Sequence, residues 1–207
     1  MAPYEYTHIQ QQIKQLINVY KTNQDKAMIT VTQEQTKAAM LPIIGEELHN
    51  SIESLYLDKS LTNAKAEGIY QLLLTHVTPF KRPSDKQIDK HFRKVKKLKY
   101  PVIQDSDLYR INFLAWDDTG SNRKYLMLYQ EDRLVGLYGT MSTTVIQSAC
   151  AICHKIDAVS LFMTTTKQSG DGTYTKKGNY ICKDSQRCNR QMETREFLDD
   201  FYHTVSR

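Results

Sequence analysis

Four cysteines fall in the last third of the chain, as Cys150-x-x-Cys153 and Cys182-x5-Cys188, and their type and spacing imply chemistry more plainly than any other residues. Two thiolates separated by two residues sit on one tight turn, close enough to share a tetrahedral metal. A second pair, after a hairpin-sized insert, completes the shell. Four sulfur donors suit zinc or an iron–sulfur centre. The alternatives are two disulfides or four unrelated thiols. Met1 to Gln10 has neither the basic nor the apolar region of a secretory leader, which predicts a cytoplasmic, reducing setting. There, cysteines bind metal more often than they crosslink. The expectation is one Zn2+ held by Cys150, Cys153, Cys182 and Cys188.

A four-thiolate shell is also closed. Catalytic zinc keeps a position open for water, usually beside histidine or carboxylate ligands, so this metal is expected to hold a fold together. His154 is the one competitor for a ligand place and ranks below all four cysteines. His8, His49, His76, His91 and His203 are scattered, and each reads as a surface or boundary residue.

The elements that must position the quartet follow from patterning. Ile9, Ile13, Leu16, Ile17 and Tyr20 repeat at helical spacing. A weaker stripe runs from Asp25 through Met28, Val31, Ala38 and Leu41 to a stop near Pro42, and Leu48, Ile52 and Leu55 make a third. Thr62 caps a fourth helix carrying Ala66, Ile69, Leu72, Leu73 and Val77. Residues 1–80 therefore read as a four-helix bundle. Pro79 and Pro83 bracket a stiff junction, and residues 81–207 read as a separate mixed α/β domain. The fold class is α+β.

Beyond the junction, Leu108 to Trp116 reads as a strand, and Lys124 to Tyr129 with Leu134 to Tyr138 as a hairpin. Val159 to Thr165 and Tyr174 to Ile181 flank the turn Ser169-Gly-Asp-Gly-Thr173. Met192, Phe197, Phe201 and Val205 predict a closing helix. Cys150 and Cys153 then lie on a knuckle before a hairpin, Cys182 ends its second strand, and Cys188 falls where a helix begins. Knuckle, hairpin and helix around zinc form a treble-clef arrangement over about residues 148–207, which staples a domain whose core is thin.

Charge is concentrated in one place. Residues 81–100 carry a net +7, against −2 for residues 1–80 and zero for residues 101–207. Ser84 caps a predicted helix over residues 86–99 whose apolar face is Ile88, Phe92, Val95 and Leu98. Its other faces carry Lys86, Lys90, Arg93, Lys94, Lys96, Lys97 and Lys99, a surface for an acidic partner. No segment has the apolar length of a membrane span. No P-loop, Gly-x-Ser-x-Gly, His-Glu-x-x-His or Gly-rich dinucleotide loop is present, so no enzyme activity is expected.

Several runs resemble a known family. Arg93-Lys-Val-Lys-Lys-Leu-Lys99, Ser121-Asn-Arg-Lys-Tyr125, Gly136-Leu-Tyr-Gly139 and Ser160-Leu-Phe-Met163 are collinear with the fusidic acid resistance proteins that bind translation elongation factor G. Tyr174-Thr-Lys-Lys-Gly-Asn-Tyr-Ile-Cys182, Asp184-Ser185 and Cys188-Asn189 continue the match, and Asn18-Val-Tyr-Lys-Thr22 extends it more loosely into the first domain. The resemblance implies a monomeric two-domain binding protein. Such a protein contacts elongation factor G mainly through its zinc domain and helps it leave a ribosome on which fusidic acid has trapped it. By position it implies contacts at Lys177, Tyr180 and Phe201, while Ala149 stands where resistance-conferring relatives carry phenylalanine.

The residues themselves agree in part. Lys176 and Lys177 beside Tyr174 and Tyr180 form a basic–aromatic patch suited to a protein interface, and a bend at Gly178 would bring Lys177 and Tyr180 to one surface. Phe201 reads as core on its own pattern. Arg93, Lys94, Lys96 and Lys97 would steer the partner. The competing reading is a zinc protein that binds ribosomal RNA or other nucleic acid through the basic 86–99 helix.

Overall fold

The computed structural model describes residues 1–168 and 174–206. The chain divides into two compact units, Met1–Thr78 and Pro79–Arg207. The predicted turn Ser169 to Thr173 lies outside the described residues.

The first unit is helical. It contains α1 (Pro3–Thr22), α2 (Lys26–Leu57) and α3 (Asn63–Leu74). Proline opens α1, where its missing N–H costs nothing, and the Glu5 carboxylate accepts from the Ala2 N–H at 2.6 Å. Ile9, Ile13, Leu16 and Ile17 are all buried, as their spacing predicts, and they meet Met40, Ile52, Tyr56, Ala66, Ile69 and Leu73 in one core.

The expected second and third helices are the two halves of α2, which is kinked at Gly45 rather than stopped near Pro42. Pro42 removes a single backbone hydrogen bond without ending it, and the break comes at Gly45, whose φ of 73° suits glycine alone. The buried face also differs. Met28, Val31 and Leu55 are about half exposed, while Ile29, Thr36 and Met40, then His49, Ile52 and Tyr56, face inward. The true stripe includes polar residues, which hides it from an apolar count. His49 is a core residue rather than a surface one, its Nε2 2.7 Å from the Tyr56 hydroxyl.

The second unit opens with α4 (Asp85–His91), closed at its start by a reciprocal Ser84–Gln87 capping box. The predicted helix over 86–99 ends here, because Phe92 leaves helical geometry at φ −114°, ψ 31°. Like charges at three- and four-residue spacing penalise a continued helix. Phe92 instead inserts edge-on among Trp116, Tyr125 and Tyr138, with ring centroids 5.2–6.1 Å away. Arg93, Lys94, Lys96 and Lys97 therefore stand on exposed turns.

A 3₁₀ turn (Asp105–Arg110) precedes β1 (Leu114–Asp118), so the strand expected from Leu108 starts six residues later. Its would-be ladder groups have another partner: the Asn189 side-chain carbonyl accepts from the N–H groups of Asn112 and Phe113. An antiparallel sheet follows from β2 (Arg123–Gln130), β3 (Arg133–Met141), β4 (Ile146–Ala149), β5 (Ile156–Gln168) and β6 (Tyr174–Cys182). The order is β1-β2-β3-β5-β4, with β6 also paired to β5. Val159 pairs both with Ile146 and with Cys182, so β5 is bonded along both edges. Strand β4 was not expected from the sequence, since Gln147 and Ser148 break its apolar pattern. Two helices close the unit, α5 (Ser185–Gln191) and α6 (Glu196–Ser206).

Candidate metal centre and the faces around it

The quartet is assembled by three elements: the β4–β5 turn, the end of β6 and the first turn of α5. The turn between β4 and β5 carries Cys150 and Cys153, held by bonds from the Cys150 N–H to Lys155 O and from the His154 N–H to Cys150 O. Cys182 ends β6 opposite Val159. The Asp184 carboxylate caps α5 by accepting from the N–H groups of Gln186 and Arg187, which places Cys188 one turn in.

All four sulfurs are buried, free of disulfides, and lie within 4.8 Å of one another. Cys150 Sγ is 3.8 Å from Cys188 Sγ, and Cys153 Sγ is 3.7 Å from Cys182 Sγ. A disulfide would need about 2.05 Å. The edge of a tetrahedron with metal–sulfur bonds of about 2.3 Å is about 3.8 Å. The donor set therefore fits one Zn2+. Backbone N–H groups of Ile152 and Cys182 reach Cys150 Sγ at 3.3 Å, the arrangement that stabilises a metal-bound thiolate. Hydrogen bonds from Cys153, then Cys182 and Cys188, push the Cys150 thiol down, and Cys150 in turn pushes Cys182 and Cys188 up. One negative sulfur raises the cost of the next, and a bound dication removes that conflict.

His154 is not in the donor cluster. It is exposed at φ 55° with its ring stacked on Phe197.

Two buried clamps tie this centre to the sheet, and neither was singled out from the sequence. Asn189, next to Cys188, accepts from the Asn112 and Phe113 N–H groups at 2.7 and 3.3 Å. Its amide donates to Phe113 O at 3.1 Å and Ser185 O at 3.0 Å. Lys124 is 1% exposed on β2, and its ammonium donates to Asp117, to Lys183 O and to Ser185 Oγ. A buried lysine amid a polar run has no local signature, but Asn189 follows a metal ligand, and that adjacency is a usable signal.

The expected partner residues are separated. The β5–β6 register runs through Gly178, which lies opposite Met163 with no bulge, so the expected bend is absent. Lys177 opposes Thr164 and Tyr180 opposes Leu161, which puts them on alternate faces. Thr164 is buried and donates to Val205 O of α6. Lys177 thus belongs to the helix-covered face, and Lys176 and Tyr180 to the other. Phe201 is 3% exposed and packs on Phe162, 5.8 Å between ring centroids, so it is core rather than a presented side chain. Tyr180 is 39% exposed and shares its face with Ile146 and Met163, 38% and 37% exposed. The side chain of Tyr174 lies outside the described residues.

Two family models match the chain in order. That of the elongation factor G-binding protein N-terminal domain matches residues 1–81. That of the FBP C-terminal treble-clef zinc finger matches residues 87–201. Among solved structures, one titled "Structure of the fusidic acid resistance protein FusC" is 33% identical over 100% of this chain and 97% of its own, with a TM-score of 0.90. No curated protein sequence matches significantly. Among the described residues, no helix is long and apolar enough to cross a membrane.

Proposed function

The chain belongs to the family of elongation-factor-G-binding proteins with a C-terminal treble-clef zinc finger, and from that premise we propose that it binds translation elongation factor G, promotes its release from the ribosome and so protects translation from fusidic acid. The observation that carries this reading is full-length similarity, at 33% identity and a TM-score of 0.90, to a fusidic acid resistance protein. The intact four-sulfur geometry supports it, since the metal holds the domain in that shape.

The physical logic needs no chemistry on the drug. Fusidic acid acts while the trapped complex persists, so a protein that favours the released factor shortens the drug's residence. It can do so only by binding the released state of the factor, or the route to it, more tightly than the trapped state.

The contact surface in this reading is the open face of the zinc domain. Tyr180, Ile146 and Met163 form its apolar centre, and an exposed tyrosine among aliphatic side chains is a typical interface anchor. Lys176 flanks that centre, and Arg93, Lys94, Lys96 and Lys97 supply a positive field that speeds encounter with an acidic partner. Lys177 and Phe201 act indirectly, through the seating of α6.

The test is a calorimetric titration of the full chain into purified elongation factor G without ribosomes, then a translation assay in fusidic acid. Saturable binding with restored translation supports the reading. No binding, or mass-modified drug recovered after incubation, contradicts it.

A further inference from the structure

The sheet of the zinc domain opens between β3 and β5. The two strands are paired only at Thr140–Met163 and Met141–Phe162, and beyond those pairs they part. The gap is a cleft of about 550 Å³ lined by His91, Arg123, Tyr138, Thr140 and Lys176, with the end of α6 at one side. Gly136 is what lets His91 reach it: a Cβ there would lie 3.0 Å from the His91 Cβ and 3.1 Å from the Phe92 ring.

Its electrostatics are one-sided. Among the described residues no carboxylate lines the cleft. Some cations of the unit are paired, among them Lys99 with Asp118, Lys124 with Asp117, Lys155 with Glu193, Arg187 with Asp157 and Arg195 with Asp199. Among the described residues, Arg123 and Lys176 have no carboxylate within ion-pair distance. Arg123 lies over the Tyr138 ring, 5.7 Å from its centroid, which orients the guanidinium without neutralising it. Partial burial, Lys90 and Arg133 all lower the His91 pKa, as expected where positive charge gathers without a counter-ion. The exposed run Arg93, Lys94, Lys96 and Lys97 continues from the His91 end.

We infer that this cleft binds the phosphodiester backbone of single-stranded RNA. Unpaired arginine, lysine and imidazole beside threonine hydroxyls are the donors that hold phosphate oxygens. A run of cations leading out of the cleft matches a continuous polyanion better than the isolated carboxylates of an acidic peptide. Besides its cations and hydroxyls, the cleft is lined by Leu137, Tyr138, Met163, Tyr202 and Val205, and tyrosine rings are platforms on which bases stack while cations hold the backbone. This goes beyond the binding of elongation factor G, whose proposed contact centres on Tyr180, Ile146 and Met163; Met163 and Lys176 stand at the border of the two surfaces.

The probe is a short fluorescently labelled single-stranded RNA of mixed sequence, followed by anisotropy with the full-length zinc-loaded protein across a salt series. With about four phosphates neutralised, the log–log salt slope is roughly −3. Arg123→Glu and Lys176→Glu should each weaken binding by ~10-fold and reduce the slope by roughly 1, with zinc content and thermal midpoint retained. Arg123→Gln and the strand-surface variant Lys176→Glu keep the test decisive where Arg123→Glu fails to fold. Bound RNA should also raise the His91 pKa in an NMR titration, since it brings negative charge to a site now facing Lys90, Arg133, Arg123 and Lys176. Absence of RNA binding, variants that bind with unchanged affinity and slope, or displacement of the RNA by an equal concentration of polyglutamate would each overturn the inference.

Discussion

Lys177 and Tyr180 lie three residues apart on β6 and face opposite sides of the sheet, Lys177 against Thr164 beneath α6 and Tyr180 against Leu161 on the open face. Tyr180→Ala should therefore weaken elongation factor G binding by ~1–3 kcal/mol, the range for an interface anchor, with zinc retained. Lys177→Ala should have a smaller effect. Calorimetry with both variants checks this. A Tyr180→Ala protein that loses zinc or melts would make Tyr180 structural, and equal losses for both would place the contact across both faces.

Removing one ligand should break the zinc domain and spare the helices. Cys182→Ser leaves three thiols around a site whose metal-binding energy is folding energy. The helical unit has its own core of Ile9, Ile13, Leu16, Ile52 and Tyr56. Amide exchange should show α1 to α3 protected and β4 to β6 open. Chelation of the native protein should reproduce that pattern.

Asn189→Ala should destabilise the zinc domain by ~3 kcal/mol, because it strands the buried N–H groups of Asn112 and Phe113 and the Phe113 carbonyl. Chemical denaturation measures the cost. A change below ~1 kcal/mol would mean that water replaces the clamp.

How far each of these features could be read from the sequence depends on how local it is. The quartet is legible because ligand spacing within each pair is a local constraint that only a few turns satisfy. The α1 stripe is legible because its buried positions, Thr7 apart, are apolar. The buried face of α2 is not, since Thr36 and His49 occupy core positions there and Met28 and Val31 are exposed. The end of α4 at His91 depends on Phe92 finding three aromatic rings distant in sequence. Likewise the separation of Lys177 from Tyr180 needs the β5 register, and the basic cleft exists only because β3 and β5 part after two pairs. Contacts between distant segments leave no periodicity to read.

The helical unit should weaken at high pH. Burial, then Tyr6 and Glu67, pushes the Tyr70 phenol up to about 12. The native state thus keeps a proton that the unfolded chain releases near pH 10. Stability from this residue is complete below pH ~10 and falls as pH rises through ~12, by about 2–3 kcal/mol. Denaturation curves read through exchange in α3 should show that decline, and Tyr70→Phe should lessen it. An equal decline in the Tyr70→Phe protein would remove Tyr70 as its cause.

The most direct test of the central claim is titration of the isolated zinc domain, from Pro83 to Arg207, into elongation factor G beside the full chain and the isolated helical unit. The domain has its own core, built on Phe92, Trp116, Tyr125 and Met127, and its own metal centre. The prediction is that it retains affinity within ~1.4 kcal/mol of the full chain, a factor of ten, and that the helical unit alone binds far more weakly. Binding by the helical unit as tight as that of the full chain, with none by the zinc domain, would contradict the account.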